Sequence, residues 1–190
     1  MAVELRGICK NYGDKQVLTD FDLFLERGIT CIMGASGKGK TTLVNILAGL
    51  IHADKGSVNI PQGTKFSFVF QEDRLLEWES ALTNVLFVTE NAKKNTPQGI
   101  KLLVEADLES SIYKKAKELS GGMKRRVAIC RALIADYDII ILDEPFKGLD
   151  STIKPRIIDM VINHTKSKFV LAITHDQYEA DYLGGRLVNL

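Results

Sequence analysis

Residues 34–41 read Gly34-Ala35-Ser36-Gly37-Lys38-Gly39-Lys40-Thr41, a match to G-x-x-x-x-G-K-[ST] at every fixed position. Few folds can hold such a run. Its glycines let backbone N–H groups turn inward around a phosphate, which requires a buried strand before the loop and a helix start after it. Both flanks are readable. Ile29–Met33 is a short apolar run suited to a fully buried strand, and Leu43, Ile46, Leu47 and Leu50 follow helical spacing. The positive end of that helix adds to the attraction for an anion. Lys40 is then placed to reach the β- and γ-phosphates of a nucleoside triphosphate, and Thr41 to offer its hydroxyl to Mg²⁺.

The rest of the chain reads as alternating strands and helices. Val3, Leu5 and Cys9, then Leu18, Phe21, Leu23 and Leu25, have the period of two of strands with one covered face, separated by a turn at Gly13-Asp14. Val58–Ile60 and Phe66–Phe70 read as strands on either side of Pro61-Gln62-Gly63. From Gln71 to about Ser120, Glu, Lys, Asn and Leu become common, and a helix is expected to start at Pro97 and carry Ile100, Leu103 and Val104. Ser120 can cap a helix through Val127, Cys130, Arg131 and Ile134. Asp138–Leu142 is an apolar strand, Ile153, Ile157, Ile158 and Val161 mark an amphipathic helix, and Phe169–Ile173 and Leu187–Leu190 close with strands. Such alternation predicts an α/β fold with a mainly parallel sheet covered on both faces.

Composition narrows the function classes. With 190 residues, 45% hydrophobic and 26% charged, the chain suits one domain with a real core. A formal net charge of +1 gives no global attraction to nucleic acid or an acidic membrane. The apolar runs are too short to span a bilayer, and the first residues lack the pattern of a secretory signal or anchor. Cys9, Cys31 and Cys130 have apolar neighbours and no paired spacing, so all three are expected to be buried reduced thiols. His52, His164 and His175 are too scattered to suggest a metal site.

Two further motifs carry chemistry. Asp138–Leu142 ends in Asp143-Glu144, so a buried strand would hold two carboxylates rigidly beside the phosphate loop: Asp143 for Mg²⁺, Glu144 to orient or deprotonate an attacking water. Leu119-Ser120-Gly121-Gly122-Met123 makes a second anion-accepting helix start, with a hydroxyl and no side chain to block a phosphate. Phosphate loop, Ser-Gly-Gly helix start and acidic strand, in that order, resemble the ATP-binding-cassette (ABC) family over essentially the whole chain.

The resemblance implies a P-loop NTPase core with an N-terminal antiparallel β subdomain and an inserted helical subdomain. The single domain 1–190 divides into a nucleotide-binding core, 1–70 and 124–190, and a helical signature segment, 71–123. It implies ATP binding by Tyr12, stacked on adenine, by Gly34, Ala35, Ser36, Gly37, Lys38, Gly39, Lys40, Thr41 and Thr42, and by Ser120, Gly121 and Gly122 toward a partner's nucleotide. Thr41, Gln71 and Asp143 would hold Mg²⁺; Glu144, His175, Gln71 and Lys40 would serve catalysis; Gly148-Leu149-Asp150 would cross a head-to-tail dimer interface. Gln71-Glu72-Asp73-Arg74-Leu75-Leu76-Glu77-Trp78 with Asn84-Val85, and Asp143-Glu144-Pro145-Phe146, look like importers of the nitrate, sulfonate and taurine group. The expected partners are a second copy, membrane permease subunits and a solute-binding protein, with no nucleic acid, on the cytoplasmic face of the cell membrane. Two rivals are a soluble cassette acting on DNA or ribosomes and a non-hydrolysing adaptor. Against these stand the absence of a basic patch or second cassette, and the presence of Glu144 and His175. The departures are Glu77 in place of a usual proline, Lys147 in place of a small residue, Lys38 in the loop and a short helical insertion. No C-terminal regulatory domain is expected.

Overall fold

The computed structural model describes residues 3–35 and 37–190. Strands β1 (Val3–Tyr12) and β2 (Lys15–Leu25) form a hairpin, and β4 (Lys55–Asn59) pairs with the other edge of β1, giving an antiparallel sheet in the order β2-β1-β4. A second sheet has the order β5 (Phe66–Val69), β6 (Ile139–Asp143), β7 (Phe169–Ile173), β3 (Gly28–Met33), β8 (Arg186–Asn189), with every pair parallel. Parallel neighbours need long crossovers, and helices supply them. These are α1 (Lys40–Leu47), α2 (Ala81–Leu86) and α3 (Ala92–Glu105), then α4 (Gly121–Ile134), α5 (Lys154–Thr165) and α6 (Gln177–Leu183).

Strand alternation sorts the apolar side chains into two cores. Ile139, Ile141, Phe169, Leu171 and Ile173 pack on one face of the parallel sheet with Leu43 and Leu47 of α1 and with Leu5, Ile8 and Leu23 of the antiparallel sheet. Ile140, Leu142, Val170 and Ala172 pack on the other face against α4, α5 and the inserted helices. With both faces covered, the central strands β6 and β7 read as near-unbroken apolar runs rather than alternating ones. Burying each Leu or Ile is worth about 1.5–3 kcal/mol, and this double cover holds the strand ends rigid where the site lies.

Four local readings change. The bulge around Gly7, at φ +60°, shifts the β1–β2 register between Leu5 and Ile8, so Ile8 takes the core side and Cys9 is only half-buried. Cys31 and Cys130 are buried, and burial pushes the Cys31 thiol up to about 11. The helix after the loop ends at Leu47, with Gly49 left-handed at φ +70°, so Leu50 lies outside it and is exposed. The inserted helix starts five residues before Pro97, capped by Asn91 accepting from the Lys94 N–H at 2.9 Å, and runs through Pro97 with one ladder hydrogen bond missing. Val104 faces solvent while Leu102 and Leu103 are buried. Helix α4 is continuous from 121 to 134, so a division at 123/124 falls inside one helix.

Candidate active site

Parallel strands end on one edge of their sheet, and the strands that matter here deliver their chemistry there. Strand β3 runs into the phosphate loop, β5 leads to Gln71, β6 ends in Asp143-Glu144 and β7 leads to Thr174-His175.

The loop closes onto α1 at Gly39, whose φ of +96° favours glycine. A Cβ there would lie 2.8 Å from the Val17 carbonyl oxygen, so the hairpin of the antiparallel sheet presses on the loop. Helix α1 has no side-chain cap and no acidic residue in its first turn, which leaves its positive end free for a ligand. The Lys40 ammonium folds back over the loop and donates to the carbonyls of Gly34 (2.7 Å) and Ala35 (2.9 Å). Ser36 lies outside the described residues. Lys38 is exposed, and Ala35 and Gly34 contribute backbone.

One cavity of about 420 Å³ is lined by Tyr12, Lys15 and Val17 from the hairpin, by Gly37, Gly39, Lys40, Thr41 and Thr42, and by Gln71, Asp143 and Glu144. Asp143 is half-buried; burial pushes its carboxyl above the usual range, and neighbouring Glu144 adds to this. Thr41, Gln71 and Asp143 bring hydroxyl, amide and carboxylate oxygens to this cavity, the donor chemistry Mg²⁺ prefers.

Glu144 sits in a left-handed conformation, φ +46°, with its N–H donating to the Ile173 carbonyl at 2.9 Å. Its Oε1 lies 3.1 Å from His175 Nδ1. Its Oε2 is 3.0 Å from Lys147 Nζ, in ion-pair range but off the line of a directed hydrogen bond. Burial pushes the Glu144 carboxyl up, but Lys147 and His175 together outweigh it and hold the group below the usual range. His175 thus reaches the site through Glu144.

The Ser-Gly-Gly segment is not part of this cavity. Ser120 caps α4, its Oγ accepting from Met123 N–H at 3.3 Å, and Gly121 is exposed. A Cβ on Gly122 would lie 3.3 Å from the Gly148 carbonyl oxygen, so this helix start shares a surface with the Gly148–Asp150 loop.

Arg125 was missed in the sequence. The residue is 3% exposed, and its guanidinium donates to the carbonyls of Asp143 (2.7 Å), Glu144 (2.6 Å), Pro145 (2.9 Å) and Phe70 (2.5 Å), and pairs with Asp73 at 3.1 Å. One buried cation thereby ties α4 to both the acidic strand end and the Gln71 segment. The available signal was a charged residue on the apolar stripe of α4, in line with Ile129, Ala132 and Leu133. Lys15 and Val17 carried no signal of their own.

The ABC transporter family matches residues 18–147, well over half the chain. This chain belongs to the ABC transporter family. It is 37% identical over 195 residues to the aliphatic sulfonates import ATP-binding protein SsuB 1 of Nocardia farcinica, covering 100% of this chain and 78% of that protein. Among solved structures it is similar to the dimeric bacterial ABC transporter cassette MJ0796, with a TM-score of 0.86, 29% identity and coverage of 99% of this chain and 94% of that one. A dimeric post-hydrolysis state of MJ0796 bound to ADP and Pi matches with a TM-score of 0.86 and 30% identity, over the same shares of both chains.

Within this ABC cassette, the departure at Glu77 has a structural partner: its Oε1 pairs with Lys124 of α4 at 2.9 Å. Buried Asn84 accepts from Leu76 N–H (2.7 Å) and donates to the Leu76 and Ser80 carbonyls (3.0 Å each), which fixes the segment after Gln71. Trp78 is 70% exposed, with Lys117 Nζ 3.9 Å from its ring centroid, so it is not a core aromatic.

Proposed function

We propose that this chain is the ATP-hydrolysing subunit of an importer of the sulfonate, nitrate and taurine group, acting as a pair that drives a separate membrane permease. The observation that carries the reading is one cavity, in an ABC family member, lined by Lys40, Thr41, Gln71, Asp143 and Glu144 together. Relatives named as import ATP-binding proteins support the transport role.

In this reading Tyr12 stacks on adenine and the loop N–H groups ring the phosphates. Lys40 exchanges the Gly34 and Ala35 carbonyls for β- and γ-phosphate oxygens. Thr41, Asp143 and Gln71 would hold Mg²⁺, which when bound neutralises charge on those oxygens. Glu144 orients the attacking water and takes its proton as the new P–O bond forms and the bond from the γ-phosphorus to the bridging oxygen breaks, yielding ADP and phosphate. His175, sharing Oε1, steers that carboxylate. Ser120, Gly121 and Gly122 complete the site of the second copy, head to tail.

Among the described residues no helix is long and apolar enough to cross a membrane. In this reading, which rests on relatives named as import ATP-binding proteins, a permease supplies the path, a solute-binding protein the cargo, and this subunit sits on the cytoplasmic face. Exposed Trp78 is the anchor for the permease.

The test is Glu144→Gln. The amide keeps the shape but not the basicity, so hydrolysis should fall by about 10²–10⁴-fold while ATP binding persists. Unchanged hydrolysis overturns the assignment. Trp78→Ala should leave folding and the isolated ATPase near normal but abolish co-purification with the permease; loss of folding instead would overturn the docking role.

A further inference from the structure

We propose that Lys147 is a positioning residue that holds Glu144 in a resting orientation and so slows hydrolysis. The proposal rests on Glu144 acting on the attacking water. Lys147 follows Glu144 by three residues in a tight turn, its N–H donating to the Glu144 carbonyl at 3.2 Å. Its Nζ lies 3.0 Å from Oε2, an oxygen shielded from solvent and without a directed hydrogen bond among the described residues. The other oxygen, Oε1, faces His175 at 3.1 Å. Each carboxylate oxygen is therefore engaged by the protein, and the one beside Lys147 is turned away from water.

The backbone cannot release it. Glu144 is pinned at φ +46° by the bond from its N–H to Ile173, so only side-chain rotation can bring Oε2 toward a water in the cavity. That rotation breaks the pair with Lys147. The restraint is reversible, because the Lys147 side chain is 58% exposed and solvent competes for its ammonium. Lys147 thus biases the carboxylate toward a conformation in which it does not act, without touching the nucleotide.

Glu144 is only 16% exposed, but Lys147 is 58% exposed and solvent screens the pair from that side, so its bias on the equilibrium lies at the upper end of the range for surface pairs, about fivefold or less. Lys147→Met keeps the length of the stem and removes the charge. It should raise kcat of the purified full chain with Mg²⁺ and ATP by about two- to fivefold, with KM unchanged. A damaged structure would lower the rate, so a gain separates positioning from mere support. Equilibrium ATP binding in EDTA, measured by calorimetry, and the melting temperature should match those of the parent. Lys147→Arg, which can still pair, should keep the slow rate, and Lys147→Gln should behave like Met. The double variant with Glu144→Gln should be as inactive as Glu144→Gln alone. If Glu144→Gln is inactive and neither Met nor Gln at 147 is faster than the parent, the restraint is refuted while the role of Glu144 stands. If Glu144→Gln hydrolyses ATP normally, the role of Glu144 fails and the restraint with it.

Discussion

Helices α1 and α4 both begin with glycine-rich segments that leave backbone N–H groups at a helix start, yet their surroundings differ. At α1 the first turn opens into a cavity that also contains Lys40, Asp143 and Glu144, with no side-chain cap in the way. At α4 the first turn is capped by Ser120 and sits beside Gly148, away from that cavity. The same local device is thus joined by a cation and two carboxylates in one place and stands apart from them in the other. A helix start binds an anion well only where further groups converge on it. The separation of the two helix starts within one chain is the physical reason for proposing that two copies share their nucleotides.

The largest expected effect separates the two helix starts directly. Nothing lies within 4 Å of a Cβ built on Gly121, so Gly121→Asp should fold and bind ATP as the parent does. Its carboxylate would nevertheless repel the partner's γ-phosphate, and hydrolysis should be abolished together with ATP-driven dimerisation. Lys40→Ala should also abolish hydrolysis, by removing the cation from the complete site, and should weaken ATP binding by the monomer. Mixing the two inactive proteins tests sharing. A mixed dimer contains one site built from an intact loop and an intact Ser-Gly-Gly segment, so hydrolysis should partly return. If mixing restores nothing and Gly121→Asp alone remains fully active, the site belongs to one chain.

The middle effect concerns the complete site alone. Tyr12 lines the cavity and is 53% exposed, with Lys10 Nζ 5.8 Å from its ring centroid. Base stacking is worth roughly 1–3 kcal/mol in nucleic-acid sites, so Tyr12→Ala should weaken ATP affinity by about 5- to 150-fold. The adenine is remote from the reacting phosphorus, so kcat should change little. Tyr12→Trp should largely restore the affinity. Unchanged affinity in the alanine variant would make Tyr12 a strand-end residue only.

How much of this could be read in the chain depended on how local each signal is. The strand, loop and helix around Gly34–Thr41 and the carboxylates closing β6 are contiguous, so pattern and chemistry sit in one stretch. The centre of the covered parallel sheet was equally legible, because β6 and β7 are nearly unbroken apolar runs. Arg125 was not, because its partners lie 18 to 55 residues away and are mostly carbonyls, which any residue supplies. The pair between Lys147 and Glu144 arises in an irregular turn, where spacing alone does not say which side chains meet. Cys9 was misplaced because the bulge between Leu5 and Ile8, at Gly7, puts Ile8 rather than Cys9 on the core side, and the register shifts again after Ile8. Pro97 drew the helix start toward itself because proline favours first turns, while the actual cap, Asn91, is followed only by the small Ala92 and then by polar residues up to Pro97.

The smallest effect tests the incomplete site from within its own chain. Ser120 accepts the Met123 N–H at 3.3 Å, longer than the usual N–H···O distance, so its contribution as a cap is at the low end of the range. Ser120→Ala should therefore cost only about 0.5–1 kcal/mol of stability. For a domain of this size that lowers the melting temperature by about 1–4 °C. ATP binding by the monomer should be untouched, since Ser120 does not line the cavity. The stability of the ATP-bound dimer should fall by more than the cap accounts for, because the hydroxyl is then also missing as a donor to the partner's phosphate. Comparing the two losses in one variant makes the point sharper than either alone. Equal losses, with dimer and monomer weakened alike, would make Ser120 a helix cap and nothing else. Ser120→Thr, which retains the hydroxyl and caps nearly as well, should restore both.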